Sequence, residues 1–343
     1  MNDYFCVAPF FAAEYQINNK TPCCLIPNGA DVTRIQKDML AKKRTPACQA
    51  CWHLEDQGVI SDRQTKNQTF DFYSNRDIRF IEEDCRSGAY SEQMVKINTS
   101  TLCNSTCVTC KEFHVSSAWE TLLSKNTKKI SIESDTLSGI DFKNLKMLSL
   151  LGGEPLYEKK NFDLLKNLIE VGNTDCFISI VTNGSVELVD KQIDILKQFS
   201  NLNFCLSVDG VGPVFEYMRY PLKWQTLVTN LELYKSLGIH VSASYTISNL
   251  NIAYYNETVE WFKSNGINYN HSLVSVPVHY SPNSLPLHVK EQLSEVTHLF
   301  RSHSAADDTN FKKALEDIAL QDNLKGISIK DYLPELLSLL KAS

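Results

Sequence analysis

Cys103-Asn104-Ser105-Thr106-Cys107-Val108-Thr109-Cys110 is the stretch on which the reading of this chain turns. Its cysteines are spaced C-x3-C-x2-C and follow an apolar-alternating run at residues 95–98. Soft thiolates at such spacing bind zinc or an iron–sulfur cluster. A closed zinc site needs a fourth ligand, and His114, four residues beyond Cys110, is a candidate. Three thiolates hold three irons of a cubane and leave the fourth open, whereas a cluster used only for electron transfer usually has every corner ligated by protein. An open iron binds a substrate or a co-substrate.

The chain has 343 residues, more than one compact core usually uses, which suggests a large α/β barrel or one big domain with a small one. Apolar residues make up 43% and charged residues 22%, an ordinary globular composition. With 34 basic and 40 acidic residues the net charge is -6, which gives no electrostatic argument for nucleic acid or an anionic membrane as partner. No apolar run approaches the roughly 20 residues that cross a bilayer. The opening Met1-Asn2-Asp3-Tyr4-Phe5 lacks the pattern of a signal peptide, so a cytoplasmic protein is expected. A reducing compartment does not keep disulfides, and the 11 cysteines, an odd number in two groups, fit metal or cluster ligation better than pairing.

Outward from the triad, β-rich segments occur at 95–98, 147–151, 177–181, 204–208, 240–247 and 269–276, separated by helical periodicities at 114–123, 162–171, 186–199, 224–237 and 254–264. Gly172, Gly238 and Gly266 stand where helix C-caps are expected. Strands alternating with helices imply a parallel sheet with right-handed crossovers, and six such units make an incomplete barrel, open at one side. The expected organisation is a cysteine-rich N-terminal module (1–66) with a short helix at 31–43, a polar connector (67–93), the partial barrel (94–280), and a tail (281–343). The tail carries helical patterns at 290–302 and 333–340 and is expected to pack over the open side. The triad falls in the loop after the first barrel strand, on the C-terminal face where such barrels keep their chemistry.

The same face receives Gly152-Gly153-Glu154-Pro155 after the second strand, Thr182-Asn183-Gly184 after the third and Ser207-Val208-Asp209-Gly210 after the fourth. Paired glycines let a backbone approach a ligand closely, and the following proline fixes the turn. Asn183-Gly184 is also an ordinary turn sequence. Ser207 and Asp209 alternate with Val208 and so share one face. Arg219 follows, with a guanidinium suited to a bidentate carboxylate pair. Taken with the triad, these motifs resemble the radical SAM superfamily, and the description of a (β/α)6 partial barrel fits as well.

The resemblance implies a [4Fe–4S] cluster on Cys103, Cys107 and Cys110 whose open iron chelates S-adenosylmethionine (SAM). It implies SAM contacts from Gly152, Gly153, Glu154 and Pro155, from Asn183, Ser207 and Asp209, and from Arg219 to the SAM carboxylate. Thr109 departs from the aromatic residue usual before the third cysteine, which bears on a packing contact near the adenine and not on the cluster. The implied activity is reductive cleavage of SAM to a 5′-deoxyadenosyl radical that abstracts hydrogen from a substrate, with a flavodoxin or ferredoxin as electron donor. A peptide or protein side chain leads as substrate, with a nucleotide, sugar or other small metabolite as alternative. A non-catalytic zinc protein is the reading of a different class.

Cys6, Cys23, Cys24, Cys48 and Cys51 form the second group, with Cys48 and Cys51 as a C-x2-C pair. By spacing alone a structural zinc ribbon is at least as good a reading as a cluster. A region with so little core needs some such staple. Beside the barrel, the region resembles the SPASM/twitch modules that carry an auxiliary [4Fe–4S] cluster. That implies ligation by Cys6, Cys48, Cys51 and one of the adjacent pair, Cys23 being favoured over Cys24. Cys85, Cys176 and Cys205 read as small buried hydrophobes. Tyr245, His279 and Tyr280 are polar strand-end candidates for substrate contact, with core or surface roles as the alternative.

Overall fold

The computed structural model describes residues 4–75, 78–110, 116–123, 130–300 and 308–341. Among them, eight strands form one sheet in the order β2-β1-β3-β4-β5-β6-β7-β8. The chain enters through helix α1 (Ala8–Phe11) and the hairpin β1 (Ala12–Gln16) and β2 (Asn19–Thr21). Four helices follow: α2 (Val32–Leu40), α3 (Gln49–Asp56), α4 (Asp62–Ser74) and α5 (Ile78–Ser87). Asp31 caps α2 by accepting from the Arg34 N–H, and Ser61 with Gln64 forms a capping box on α4.

From β3 (Met94–Asn98) the chain alternates strand and helix: α6 (Ser117–Leu122), β4 (Met147–Leu151), α7 (Lys159–Glu170), β5 (Phe177–Thr182), α8 (Asp190–Leu196) and β6 (Leu202–Ser207). Two helices, α9 (Pro213–Met218) and α10 (Trp224–Ser236), precede β7 (His240–Ile247), and α11 (Tyr255–Ser264) leads to β8 (Asn268–Leu273). Every pair from β3 to β8 is parallel. The tail holds α12 (Leu287–Gln292), α13 (Asp308–Lys325), α14 (Ile329–Tyr332) and α15 (Pro334–Lys341).

Strand alternation decides which residues face the helices. Val95, Ile97, Leu148, Leu150, Ile178, Ile180, Phe204 and Leu206 are each 1% exposed or less and anchor the main core. Each such side chain stabilises the fold by about 1.5–3 kcal/mol. Their neighbours Lys96, Asn98, Leu151, Val181 and Ser207 turn to the other face, where a cavity opens. Gly172, Gly238 and Gly266 sit just past α7, α10 and α11 at φ +75°, +74° and +64°.

The six expected strands are present, β4 and β7 to the residue. The segment expected at 269–276 leaves the ladder after Leu273, ahead of Pro277, which has no N–H to donate. Two strands were not expected: β1 pairs in parallel with β3 (Ala12↔Met94 to Tyr15↔Ile97), so the N-terminal region extends the barrel sheet. Read locally, Ala12-Ala13-Glu14-Tyr15-Gln16 has little β character, and its partner lies some 80 residues on. The N-terminal region also has its own core, with Phe10, Phe11, Ile35, Met39, Phe70 and Ile81 each 3% exposed or less.

The tail lies against the loop carrying the cysteine triad. On α13, Asp322 accepts from the Tyr217 hydroxyl at 2.9 Å, and Gln321 Nε2 donates to the Val108 carbonyl at 3.1 Å. The sequence pattern missed α13 because its apolar residues do not keep to one stripe: Ala314 and Ile318 are buried, whereas Leu315 and Leu320 are 43% and 50% exposed.

Candidate active site

A cavity of about 440 Å³ opens at the C-terminal ends of the strands. Cys103, Cys107 and Cys110 line it together with Gly152, Gly153, Asn183, Ser207, Asp209 and Arg219. Five separate loops and strand ends supply these residues, and their convergence follows from the parallel order of the sheet.

The loop bearing the triad is held from several sides. Cys103 N–H donates to Ser117 Oγ at 3.0 Å, Ser116 Oγ donates to the Ser105 carbonyl at 2.8 Å, and Trp119 Nε1 donates to the Cys107 carbonyl at 3.0 Å. Thr106 N–H donates to the Tyr220 carbonyl at 2.6 Å. The Ser105 hydroxyl lies 3.3 Å from both Cys103 Sγ and Cys107 Sγ. Burial pushes the Cys103 thiol up to about 11 and the Cys110 thiol up to about 12, so a metal that binds them displaces their protons. His114 lies outside the described residues, as does the start of the helix expected at 114–123.

Gly152 and Gly153 make a cradle that admits no side chain. A Cβ on Gly152 (φ +148°) would stand 2.9 Å from the Ser100 carbonyl oxygen, and one on Gly153 would run into the Leu102 carbonyl. Two backbone bonds zip this turn to the triad loop: Gly153 N–H to Ser100 O at 2.8 Å and Glu154 N–H to Leu102 O at 2.7 Å. Glu154 and Pro155 are buried behind the turn and do not line the cavity. The Glu154 carboxylate accepts from Thr182 Oγ1 at 2.7 Å, Asn183 N–H at 2.7 Å and Leu156 N–H at 3.1 Å. It therefore ties the second loop to the third. Burial pushes its carboxyl up to about 7, against the pull of those donors.

Arg219 is not a solvated surface residue. Its Nη2 lies 2.8 Å from Asp209 Oδ2, with side-chain exposures of 13% and 4%. Asp209 also accepts from Thr246 N–H at 3.1 Å. Arg219 Nη1 lies 3.8 Å from Cys107 Sγ, while its buried Nε makes no hydrogen bond. Asn183 is oriented by Ser185 and donates to Asn104 Oδ1 at 2.8 Å. Tyr245, His279 and Tyr280 lie in the core, away from the cavity lining.

Some lining residues were not anticipated. Glu14, Tyr15 and Gln16 reach the cavity because β1 joins the sheet, for which the sequence carried no signal. Lys96 is their neighbour across the pair Glu14↔Lys96, and a lysine inside an otherwise apolar strand was the available clue.

The family model of the radical SAM superfamily matches residues 97–262. These residues form a radical SAM domain. The chain is thus an enzyme of SAM-based radical chemistry, and such enzymes use a [4Fe–4S] cluster, SAM and a one-electron reductant. No curated protein sequence matches the chain. Similar solved structures include SuiB of Streptococcus suis bound to S-adenosylmethionine (13% identity, TM-score 0.45, 84% of this chain and 68% of that one). Another is SuiB bound to the precursor peptide SuiA (14% identity, TM-score 0.44, 84% and 67%). A third is anSMEcpe with bound AdoMet and Cp18Cys peptide (18% identity, TM-score 0.44, 69% and 62%).

The donor sets fit the groups the family uses. Three cavity-facing thiols, a cradle that admits backbone alone and an orphaned guanidinium N–H suit a cluster and the carboxylate of SAM. In the N-terminal region, Cys6, Cys23, Cys48 and Cys51 line one small cavity, and exposed Cys24 does not. Burial pushes Cys6 up to about 12 and Cys48 up to about 11. Cys23 is raised by its hydrogen bond with Cys24 and then by burial. A tighter group, Cys23, Cys24 and Asp62, has its donor atoms within 4.8 Å of one another and shares Cys23 with the first. No helix among the described residues is long and apolar enough to cross a membrane.

Proposed function

We propose that this radical SAM enzyme modifies a side chain of a peptide or protein, with Cys103, Cys107 and Cys110 as ligands of the catalytic cluster and Cys6, Cys23, Cys48 and Cys51 as ligands of a second [4Fe–4S] cluster. The observation that carries the reading is the convergence of the triad, the Gly152–Gly153 cradle and Arg219 on one cavity. When bound, the cluster and SAM supply a 5′-deoxyadenosyl radical by one-electron reductive cleavage, and that radical abstracts a hydrogen atom from the substrate. Arg219, oriented by Asp209, offers its free Nε–H to the SAM carboxylate. Gly152 and Gly153 bring backbone polar groups to the SAM ammonium, and Glu154 holds the turn against the third loop. Asn183 and Ser207 line the same wall.

The size of the cavity favours a side chain over a free bulky metabolite. At about 440 Å³ it falls low in the range of about 300–1,000 Å³ for a pocket holding one ligand. With SAM in place, little room is left beyond that of a side chain entering from outside. The wall of Glu14, Gln16 and Lys96 then faces the polar backbone that carries it. A flavodoxin or ferredoxin supplies the electron.

Anaerobic reconstitution tests this reading. The parent should load about eight irons, as two cubanes. Changing Cys103, Cys107 and Cys110 to Ala should remove about half of them, and the Cys107→Ala variant should form no 5′-deoxyadenosine. The Cys48→Ala/Cys51→Ala variant should lose the other half and still cleave SAM without substrate. Zinc in place of that second half excludes the auxiliary cluster, and SAM cleavage at the parent rate by Cys107→Ala excludes the triad as its ligand. Incubation with a short peptide encoded beside the gene should change the mass of the peptide. An unchanged peptide alongside turnover of a small metabolite refutes the peptide reading.

A further inference from the structure

Two carboxylates, one on each cysteine site, share the ammonium of Lys66. Lys66, from α4, has its Nζ 3.2 Å from Glu14 Oε1 and 3.6 Å from Asp62 Oδ2. Glu14 lines the reaction cavity with a side chain 4% exposed. Its Oε2 makes no hydrogen bond and lies 3.5 Å from Lys96 Nζ. Asp62 lines the cavity of the N-terminal thiols and accepts from Cys23 Sγ at 3.5 Å. A third cavity, of about 210 Å³, runs between the two and is lined by Glu14, Asp62, Lys66 and Lys96. The other cation at the N-terminal thiols, Arg63, is committed to Glu55 at 2.7 Å.

We propose that Glu14–Lys66–Asp62 is an electrostatic link through which the charge and occupancy of the reaction cavity set the reduction potential of the group held by the N-terminal thiols. The inference rests on the reading that these thiols hold a cluster. Reduction adds a negative charge, and a nearby cation stabilises the reduced form. Lys66 is divided between two carboxylates, so whatever satisfies Glu14 leaves more of the ammonium's field at Asp62 and Cys23. A substrate donor on Glu14 Oε2 would do this, and would ready the second site to take an electron only when the first is filled. The pair is partly buried, where salt screens little.

The two ends of the link predict shifts of opposite sign, which a merely structural role does not. The experiment is an anaerobic redox titration, read by electron paramagnetic resonance, of the full chain with Cys103, Cys107 and Cys110 changed to Ala, so that only the N-terminal thiols carry a cluster. In that background Lys66→Met should lower the potential, because Asp62 loses its neutralising charge. Glu14→Gln should raise it, because Lys66 is no longer shared. Lys66→Arg, which keeps the charge and guards against a folding artefact, should stay near the background value. Any other pattern of signs overturns the link. Iron-free protein in the background chain overturns both the link and the auxiliary-cluster reading, whereas a normal iron content with unmoved potentials overturns the link alone.

Discussion

Replacing Arg219 by Met leaves Asp209 as a buried carboxylate, 4% exposed, with the Thr246 N–H still donating to it. Removing one partner of a buried ion pair costs about 3–5 kcal/mol, because the other charge is left uncompensated. Arg219 enters the pair with its Nε unbonded, which places the cost at the lower end, about 3 kcal/mol. In the Asp209→Asn/Arg219→Met double variant neither charge remains. Most of that penalty should disappear, giving a coupling energy of about 2 kcal/mol. The assay is anaerobic urea unfolding followed by tryptophan fluorescence, on the parent, both single variants and the double variant. SAM affinity, measured on the same four proteins, should not follow stability: the double variant regains its fold and still binds SAM weakly, since no guanidinium is left for the carboxylate. Additive unfolding energies would refute the buried-pair argument. SAM affinity restored together with stability would refute the role given to Arg219.

Gly153→Ala forces a Cβ into the Leu102 carbonyl and should cost about 1–3 kcal/mol while misplacing the triad loop. An iron assay should find only the N-terminal share of the iron. Glu154 has its folded pKa raised from 4.5 to about 7, so it contributes stability that is full below pH 4.5 and is lost as pH rises through about 7. Between pH 6 and 8 that loss comes to about 1.4 kcal/mol, and urea unfolding of Glu154→Gln should lack it, leaving a flatter pH profile than the parent. Gln321→Leu strands the Val108 carbonyl, a loss of about 1–3 kcal/mol beside the cluster loop. Iron should then pass to a chelator faster than from the parent, and an equal rate would remove the tail from any part in holding that loop.

The barrel was legible because each of its strands carries its own signal. In β4, Leu148 and Leu150 alternate with outward residues and Gly152-Gly153 ends the run, so pattern and punctuation agree. The triad and the glycine turn were legible for the same local reason. What escaped depends on partners distant in sequence. Glu14 lies on a strand that reaches the barrel wall only because β3 pairs with it, and Lys66 acquires its meaning from Glu14 and Asp62. Arg219 could be placed near the site from its motif, yet its burial against Asp209 follows from how α9 packs. Glu154 was grouped with the glycines by sequence, and its carboxylate turns behind them to meet Thr182 and Asn183.

The pairing of β1 with β3 also has a consequence in time. About 80 residues separate the two partners, which at a synthesis rate of about 5–20 residues per second is a delay of roughly 4–16 seconds. Until β3 emerges from the ribosome, β1 lacks one of its two neighbours and Glu14 has no barrel wall to join. The converse holds for a shortened chain. A fragment starting at residue 94 would present β3 as a bare edge, whose unpaired N–H and C=O groups are free to recruit strands from other molecules. The N-terminal region is therefore not a detachable cassette: cutting it away should turn the first strand of the barrel into a site of aggregation.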